Sequence, residues 1–216
     1  MTDQRADRSR GRVADTGRVE AFSDGVLAIV ITLLVLDLRA PEEEGEFLTG
    51  LLDQWPVYVA YLASFGYVGV IWVNHHQLFT RIEAVDGGLL WRNLVLLLAT
   101  SVLPFPTAVL GSAFQHGDHH DQQVALVGYA SVAACMCLAW LAVYRYLARH
   151  GELIAPDTPA SWFLRERWRA LLGLAADVAA AGAGIWQPVA GLVIAALLPV
   201  FYGLTSGGLS GTPAEA

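Results

Sequence analysis

Apolar residues in this chain run in long unbroken blocks. They do not alternate as in strands, and they do not fall into the narrow stripes of soluble helices. No Asp, Glu or Arg occurs in residues 54–80, 93–117, 122–144 or 178–214. Spanning a hydrocarbon core takes about 20 helical residues, so each of the first three blocks predicts one span. The fourth block has 37 residues, too many for one helix. Trp186-Gln187-Pro188 divides it, because Pro lacks a backbone donor and pushes the preceding residue out of the helical region. Its first part extends back to about Trp168. Residues 19–38 predict one more span, apolar apart from Glu20, Ser23, Asp24, Thr32 and Asp37. Two aspartates and no small-x-small cleavage pattern make this a retained helix and not a cleaved leader. The expectation is an all-α, polytopic membrane protein with helices over 19–38, 56–78, 89–111, 124–147, 168–186 and 188–205. Helices are required because a span must satisfy its own backbone polar groups in lipid.

Composition agrees. Of 216 residues, 55% are hydrophobic and only 15% charged, against about 25% charged in soluble domains. Mean hydropathy is +0.48. That excludes an ordinary soluble enzyme, and the net charge of −7 excludes a basic nucleic-acid binder. All thirteen cations are Arg, and their placement predicts orientation. Arg5, Arg8, Arg10, Arg12 and Arg18 precede the first span; Arg81 and Arg92 lie between the second and third. Arg145, Arg149, Arg165, Arg167 and Arg169 lie between the fourth and fifth. The alternate loops hold only Arg39, beside Glu42, Glu43, Glu44, Glu46 and Asp53. Both ends of a six-span chain are therefore expected in the cytoplasm. The polar segments 1–17 and 206–216 are expected to be disordered, flanking one unit over 18–205.

Polar residues inside the spans are the candidates for chemistry, since an ionisable group there is costly unless paired. Asp24 lies about two turns into the first span. Ile29, Leu33 and Leu36 form one stripe at offsets of four and three, and Asp24 points about 140° away from Ile29. Two roles stay open for it: pairing with an Arg or His of a neighbouring helix, or lying on an ion path. His75 and His76 end the second span at the same level as Ser23 and Asp24. Adjacent helical positions diverge and no Cys or Glu completes a tetrahedral set, so hydrogen bonding is expected of them and not metal binding. The run His116-Gly-Asp118-His119-His120-Asp121 is read as a solvated loop. Asp177 sits mid-span among small residues, pointing into the bundle or a wet crevice. Pro104 and Pro106 kink the third span. Cys135 and Cys137 are two apart and diverge, so they are read as packing residues with no disulfide between them.

Several channel and enzyme classes fall away. The fourth span has no Arg ladder, so it is no voltage sensor. The turn between the last two spans is too short for a carbonyl filter. No Walker loop, Gly-x-Ser-x-Gly or His-Glu-x-x-His occurs. No cofactor and no metal are expected.

The first span reads Arg18-x-x-x-Phe22-Ser23-Asp24-Gly25-Val-x-Ala28-Ile29-x-x-Thr32-Leu33-Leu34-x-Leu36. This resembles the signature of the bacterial transmembrane-protein-175 family, relatives of the lysosomal/endosomal potassium channel. Trp72-x-x-His75-His76, Asn93 and Leu103-Pro104-Phe105 extend the likeness across the six-helix body. The resemblance implies a homotetrameric cation channel favouring potassium, in a bacterial cell membrane. Four first helices would line the pore, with constrictions at Ile29, Leu33 and Leu36 and a selectivity role for Thr32. Arg18, Phe22, Ser23 and Asp24, with His75 or His76, would form a network fixing the pore helix. Its partners would be potassium ions, the lipid bilayer and further copies of itself, with no nucleic acid. Two other readings remain: a proton-coupled transporter relaying through Asp24, Asp177 and His75, and a non-conducting membrane scaffold.

Overall fold

The computed structural model describes residues 16–41 and 45–205. The expectations for residues 1–15, 42–44 and 206–216 lie outside the described residues. Eight α-helices run in order: α1 (Thr16–Leu33), α2 (Phe47–Asp53), α3 (Trp55–Phe79), α4 (Gly87–Ser101), α5 (Pro104–His116), α6 (His119–Leu147), α7 (Ala160–Trp186) and α8 (Pro188–Thr205). Two 3-10 turns, Leu34–Asp37 and Gly151–Leu153, complete the set among the described residues. Among these, six units are long and apolar enough to cross a membrane, α4 and α5 counting as one. Thr16 and Thr205 thus lie at the same end of the bundle. Trp91 and Trp168 are exposed near that end, and Trp55 and Trp186 near the other. Such aromatic belts mark the two interfaces of a bilayer.

The third span departs from the expected single kinked helix. It stops at Ser101 and restarts at Pro104, running on to His116. Pro104 and Pro106 have no N–H to give, so the carbonyls of that turn need other donors. Leu103 N reaches Thr100 O at 3.1 Å and Phe105 N reaches Val102 O at 3.1 Å. Leu103 O accepts from Thr107 N at 3.2 Å and from Thr107 Oγ1 at 2.8 Å. Thr107 in turn lies 2.8 Å from Ser64 Oγ, which is 3.1 Å from Tyr129 Oη. The break is therefore buttressed by α3 and α6.

The fifth span begins at Ala160, eight residues before the expected Trp168, because Pro159 is extended and cannot enter the helix. Helix α2 was not expected either: three of its seven residues, Phe47, Leu48 and Leu52, are exposed and apolar. Asp118 is more than part of a solvated loop. It caps α6 by accepting from His120 N and Asp121 N, and Asp121 completes a reciprocal capping box. At the Thr16 end an isolated antiparallel bridge, Ile82 to Ile154, joins the α3–α4 connection to the α6–α7 connection. Arg81 backs it, its guanidinium 4.6 Å from the Trp162 ring.

Helices α7 and α8 form a tight hairpin across Gln187. At Gly191 a Cβ would sit 2.6 Å from Ala180 O and 2.9 Å from the Gly184 Cα, so the two backbones touch there. Leu126 of α6 fills the notch beside Gly184. Small residues allow this approach, which is what dispersion-driven packing in lipid needs. Helix α1 is the loosest span: 28% of its most apolar stretch is buried, against 50% for α6. It packs mainly on α3 and α4, through buried Val19, Leu27 and Val30, and the 3-10 turn after it buries Leu34.

Two outcomes follow. Gly191→Ala drives a methyl into backbone and is expected to destabilise the chain by about 1–3 kcal/mol, read as a lower Tm in detergent. At the α4 cap, burial pushes the Asp86 carboxyl up, but hydrogen bonds from Tyr146 Oη and Leu89 N outweigh it and hold the group below its usual range. Asp86 therefore contributes stability at neutral pH, lost as pH falls through the depressed value. Tyr146→Phe is expected to lower Tm at pH 7, with the gap to wild type closing in acid.

Candidate functional site

Helix propensity puts Ser23, Leu27, Val30 and Leu34 of α1 on one buried face, so Ser23 enters the bundle with its apolar neighbours. A hydroxyl there needs partners. Ser23 Oγ donates to Val19 O at 2.9 Å and accepts from Asn93 Nδ2 of α4 at 2.9 Å. Asn93 Oδ1 then accepts from His75 Nε2 of α3 at 3.0 Å. All three side chains are buried, Ser23 and His75 fully. The donor sense is fixed along the chain. Asn93 turns its amide oxygen to His75, and that oxygen can only accept, so His75 carries a proton on Nε2. His75 Nδ1 is buried with no partner among the described residues, and its ring stacks on Phe79 with centroids 4.3 Å apart.

A second layer lies closer to the surface. The indole Nε1 of Trp72 donates to Asp24 Oδ1 at 3.0 Å. His76 Nδ1 donates to Glu20 Oε1 at 2.8 Å, and Trp72 stacks over His76. The partner of Asp24 is therefore an indole and neither an Arg nor a His. An indole is a neutral donor whose ring can face lipid while its N–H is engaged. Sequence reasoning could have singled out Trp72 and Glu20 by spacing: both fall one helical turn from a residue of this cluster.

The structure brings Ser23, Asp24, His75 and His76 to the contact of α1 with α3 and α4. It does not bring Arg18 or Phe22 there. Arg18 is exposed and makes no hydrogen bond or ion pair with the described residues, and Phe22 is 56% exposed. The geometry explains this. Phe22 and Arg18 precede Ile29 by seven and eleven residues, which places both within about 20° of it around the helix. They continue the stripe of Ile29, Leu33 and Leu36, whose exposures are 60%, 43% and 68%. Thr32 is exposed as well, its hydroxyl shared between Ala28 O at 3.0 Å and Ile29 O at 2.9 Å. One side of α1 is thus clasped to the protomer by polar bonds, and the opposite side is aliphatic and uncovered.

Away from α1, the described residues hold no cluster of His, Cys, Asp or Glu fit for a metal ion. Cys135 is exposed and Cys137 buried, both as free thiols. Cys137 is more than a packing residue: its Sγ lies 3.4 Å from Asp177 Oδ2.

Six membrane-length helices among the described residues define a multi-pass integral membrane protein. A model of the family described as endosomal/lysosomal potassium channel TMEM175 matches residues 18–104. A potassium channel of Streptomyces collinus is 39% identical over 193 residues, covering 88% of this chain and 92% of its own. A potassium channel of Chamaesiphon minutus is 37% identical over 146 residues, 66% of this chain and 70% of its own. The crystal structure of a lysosomal potassium-selective channel TMEM175 homolog from Chamaesiphon minutus superposes with a TM-score of 0.74. It shares 29% identity over 89% of this chain and 98% of that one. The chain belongs to the TMEM175 family, a family of ion channels and not of enzymes.

Asn93 is the hub of the clasp. Asn93→Leu leaves His75 Nε2 buried with no acceptor, at about 1–3 kcal/mol, and takes from Ser23 Oγ the donor that joins it to α4, leaving only its bond to Val19 O. The expected result is a Tm lowered by more than Trp72→Phe lowers it, since Trp72 is half exposed.

Proposed function

We propose that four copies of the chain assemble around their α1 helices and conduct potassium in preference to sodium. The observation that carries this is the uncovered stripe of Ile29, Leu33 and Leu36 on the least buried span. Its backing, the Ser23–Asn93–His75 clasp, holds that span at a fixed rotation, as a pore-lining helix requires. The potassium channels of Streptomyces collinus and Chamaesiphon minutus support the choice of ion.

In this reading the stripes of four protomers face a common axis and form rings of aliphatic side chains. Such necks gate by dewetting. Selectivity comes from dehydration: potassium holds its water less tightly than sodium, so it loses less on entering an apolar ring. Thr32 lies beside the rings with its hydrogen already given to its own helix, so its lone pairs are what an ion meets. Glu46 and Asp53 are exposed near the far end of α1 and raise the local cation concentration there, an effect that salt screens. The Arg distribution puts Thr16 and Thr205 on the cytoplasmic side of a bacterial inner membrane. Ser23, Asp24, His75 and His76 serve as the support network, joined by Trp72 and Asn93. Arg18 and Phe22 extend the stripe toward the cytoplasmic mouth.

The test is flux from potassium-loaded liposomes under opposed potassium and sodium gradients. Wild type is expected to pass potassium over sodium. Ile29→Asn puts an amide in the neck and is expected to raise leak and flatten that preference. An unaltered preference would place the constriction elsewhere. A monomer in mild detergent with no flux would favour a scaffold.

A further inference from the structure

On the side of α3 away from α1, the chains of α3, α6, α7 and α8 enclose a cavity of about 30 Å³, room for about two water molecules. Glu166 and Arg169 form its wall near the Thr16 end. They pair at 2.5 Å, with side chains only 5% and 7% exposed. Asn74 also lines it, and its side-chain oxygen is buried with no donor among the described residues. The rest of the lining is mostly apolar, but Asn74, Glu166 and Arg169 supply polar partners, and a buried acceptor beside such a space is one that water satisfies. The inner end of the cavity is formed by Tyr67, Cys137 and Tyr202.

Asp177 lies directly behind Cys137. It is 2% exposed, halfway along a membrane span. Its one hydrogen bond among the described residues is the weak one from Cys137 Sγ at 3.4 Å. The groups that face it are all neutral donors: Tyr67 from α3, Tyr129 and Cys137 from α6, and Tyr202 from α8. On its own helix the nearest cation, Arg169, is eight residues away, about 12 Å along the axis. Arg169 is already held by Glu166, by Tyr202 O at 3.2 Å and by Thr205 Oγ1 at 3.3 Å. A carboxylate so placed has neither a counter-ion nor the two or three strong donors that steady a buried anion. A carboxylic acid has no such need. Cys137 touches both this acid and the cavity: its Sγ also lies 3.6 Å from Tyr202 Oη and 3.8 Å from Tyr67 Oη.

We propose that Asp177 is a proton-binding site, neutral at physiological pH, which exchanges its proton through the cavity between α3, α6, α7 and α8. The site lies off the path along α1 and does not depend on the channel reading. Exchange passes through the thiol. Hydroxide entering the cavity takes the Cys137 thiol proton, giving water, and the thiolate takes the proton of the Asp177 carboxyl, leaving a carboxylate; hydronium reverses both transfers.

Infrared spectroscopy of the full chain in liposomes tests this, because a protonated carboxyl has its own carbonyl band. Wild type is expected to show that band at neutral pH, shifted in heavy water and lost reversibly in alkali. Asp177→Asn should abolish it, and Asp177→Glu should move it. Ala170→Leu, which narrows the cavity, should slow the heavy-water shift severalfold while leaving the band in place. A neutral-pH spectrum identical in wild type and Asp177→Asn overturns the assignment to Asp177. A wild-type band that never shifts in heavy water, or shifts equally fast in Ala170→Leu, overturns the cavity as the route. Where Asp177→Asn fails to fold, Asp177→Glu and the alkaline titration of wild type decide between the same outcomes.

Discussion

Polar atoms within lipid have no water to fall back on, and this architecture is organised around that fact. Ser23, Asn93 and His75 come from three different spans, and each is buried. Each would be a liability alone. Joined in one direction of hydrogen-bond donation, they become the means of fixing one helix against two others. Dispersion alone would let α1 slide or rotate on the apolar faces of α3 and α4, because lipid packs against it about as well as protein does. A chain of three directed bonds has one register. The helix that would have the most freedom is thereby the one whose rotation is set by chemistry and not by shape.

The same rule accounts for the rest of the bundle. Where prolines strip donors from the turn at Leu103, the N–H groups of Leu103 and Phe105 stand in for them, and a hydroxyl relay from Tyr129 through Ser64 to Thr107 adds a bond to Leu103 O. Where an ion pair is buried, at Glu166 and Arg169, the guanidinium also meets a backbone carbonyl and a hydroxyl. Asp177 stands apart because its partners are so few, which is why its burial carries chemical meaning.

Much of this was legible in the residues. Charge-free blocks marked the spans, since length and apolarity are what a bilayer demands. Pro188 marked the α7–α8 turn because a missing N–H leaves no choice. The aliphatic stripe and the opposed acidic residue of α1 followed from helical period. Less was legible where tertiary contact decides. Period alone placed Asp24 away from the stripe; spacing sets Trp72 one turn before His76, but that its indole N–H meets Asp24 is decided by the contact between two helices. The motif grouped Arg18 and Phe22 with Ser23 and Asp24 as neighbours in sequence, yet the helix turns the first pair to the opposite side. The early start of α7 was hidden because Arg165, Glu166, Arg167 and Arg169 look like loop. Burial of the Glu166–Arg169 pair makes them helix.

The bridge between Ile82 and Ile154 has a mechanical consequence. It ties together the two connections at one end of the bundle, while the Gly191 contact locks α7 to α8 at the other. The spans behind α1 are thus stapled at both rims, whereas α1 is joined to them along one face only. A roll or a lean of the first helix would break fewer contacts than any rearrangement among the other spans.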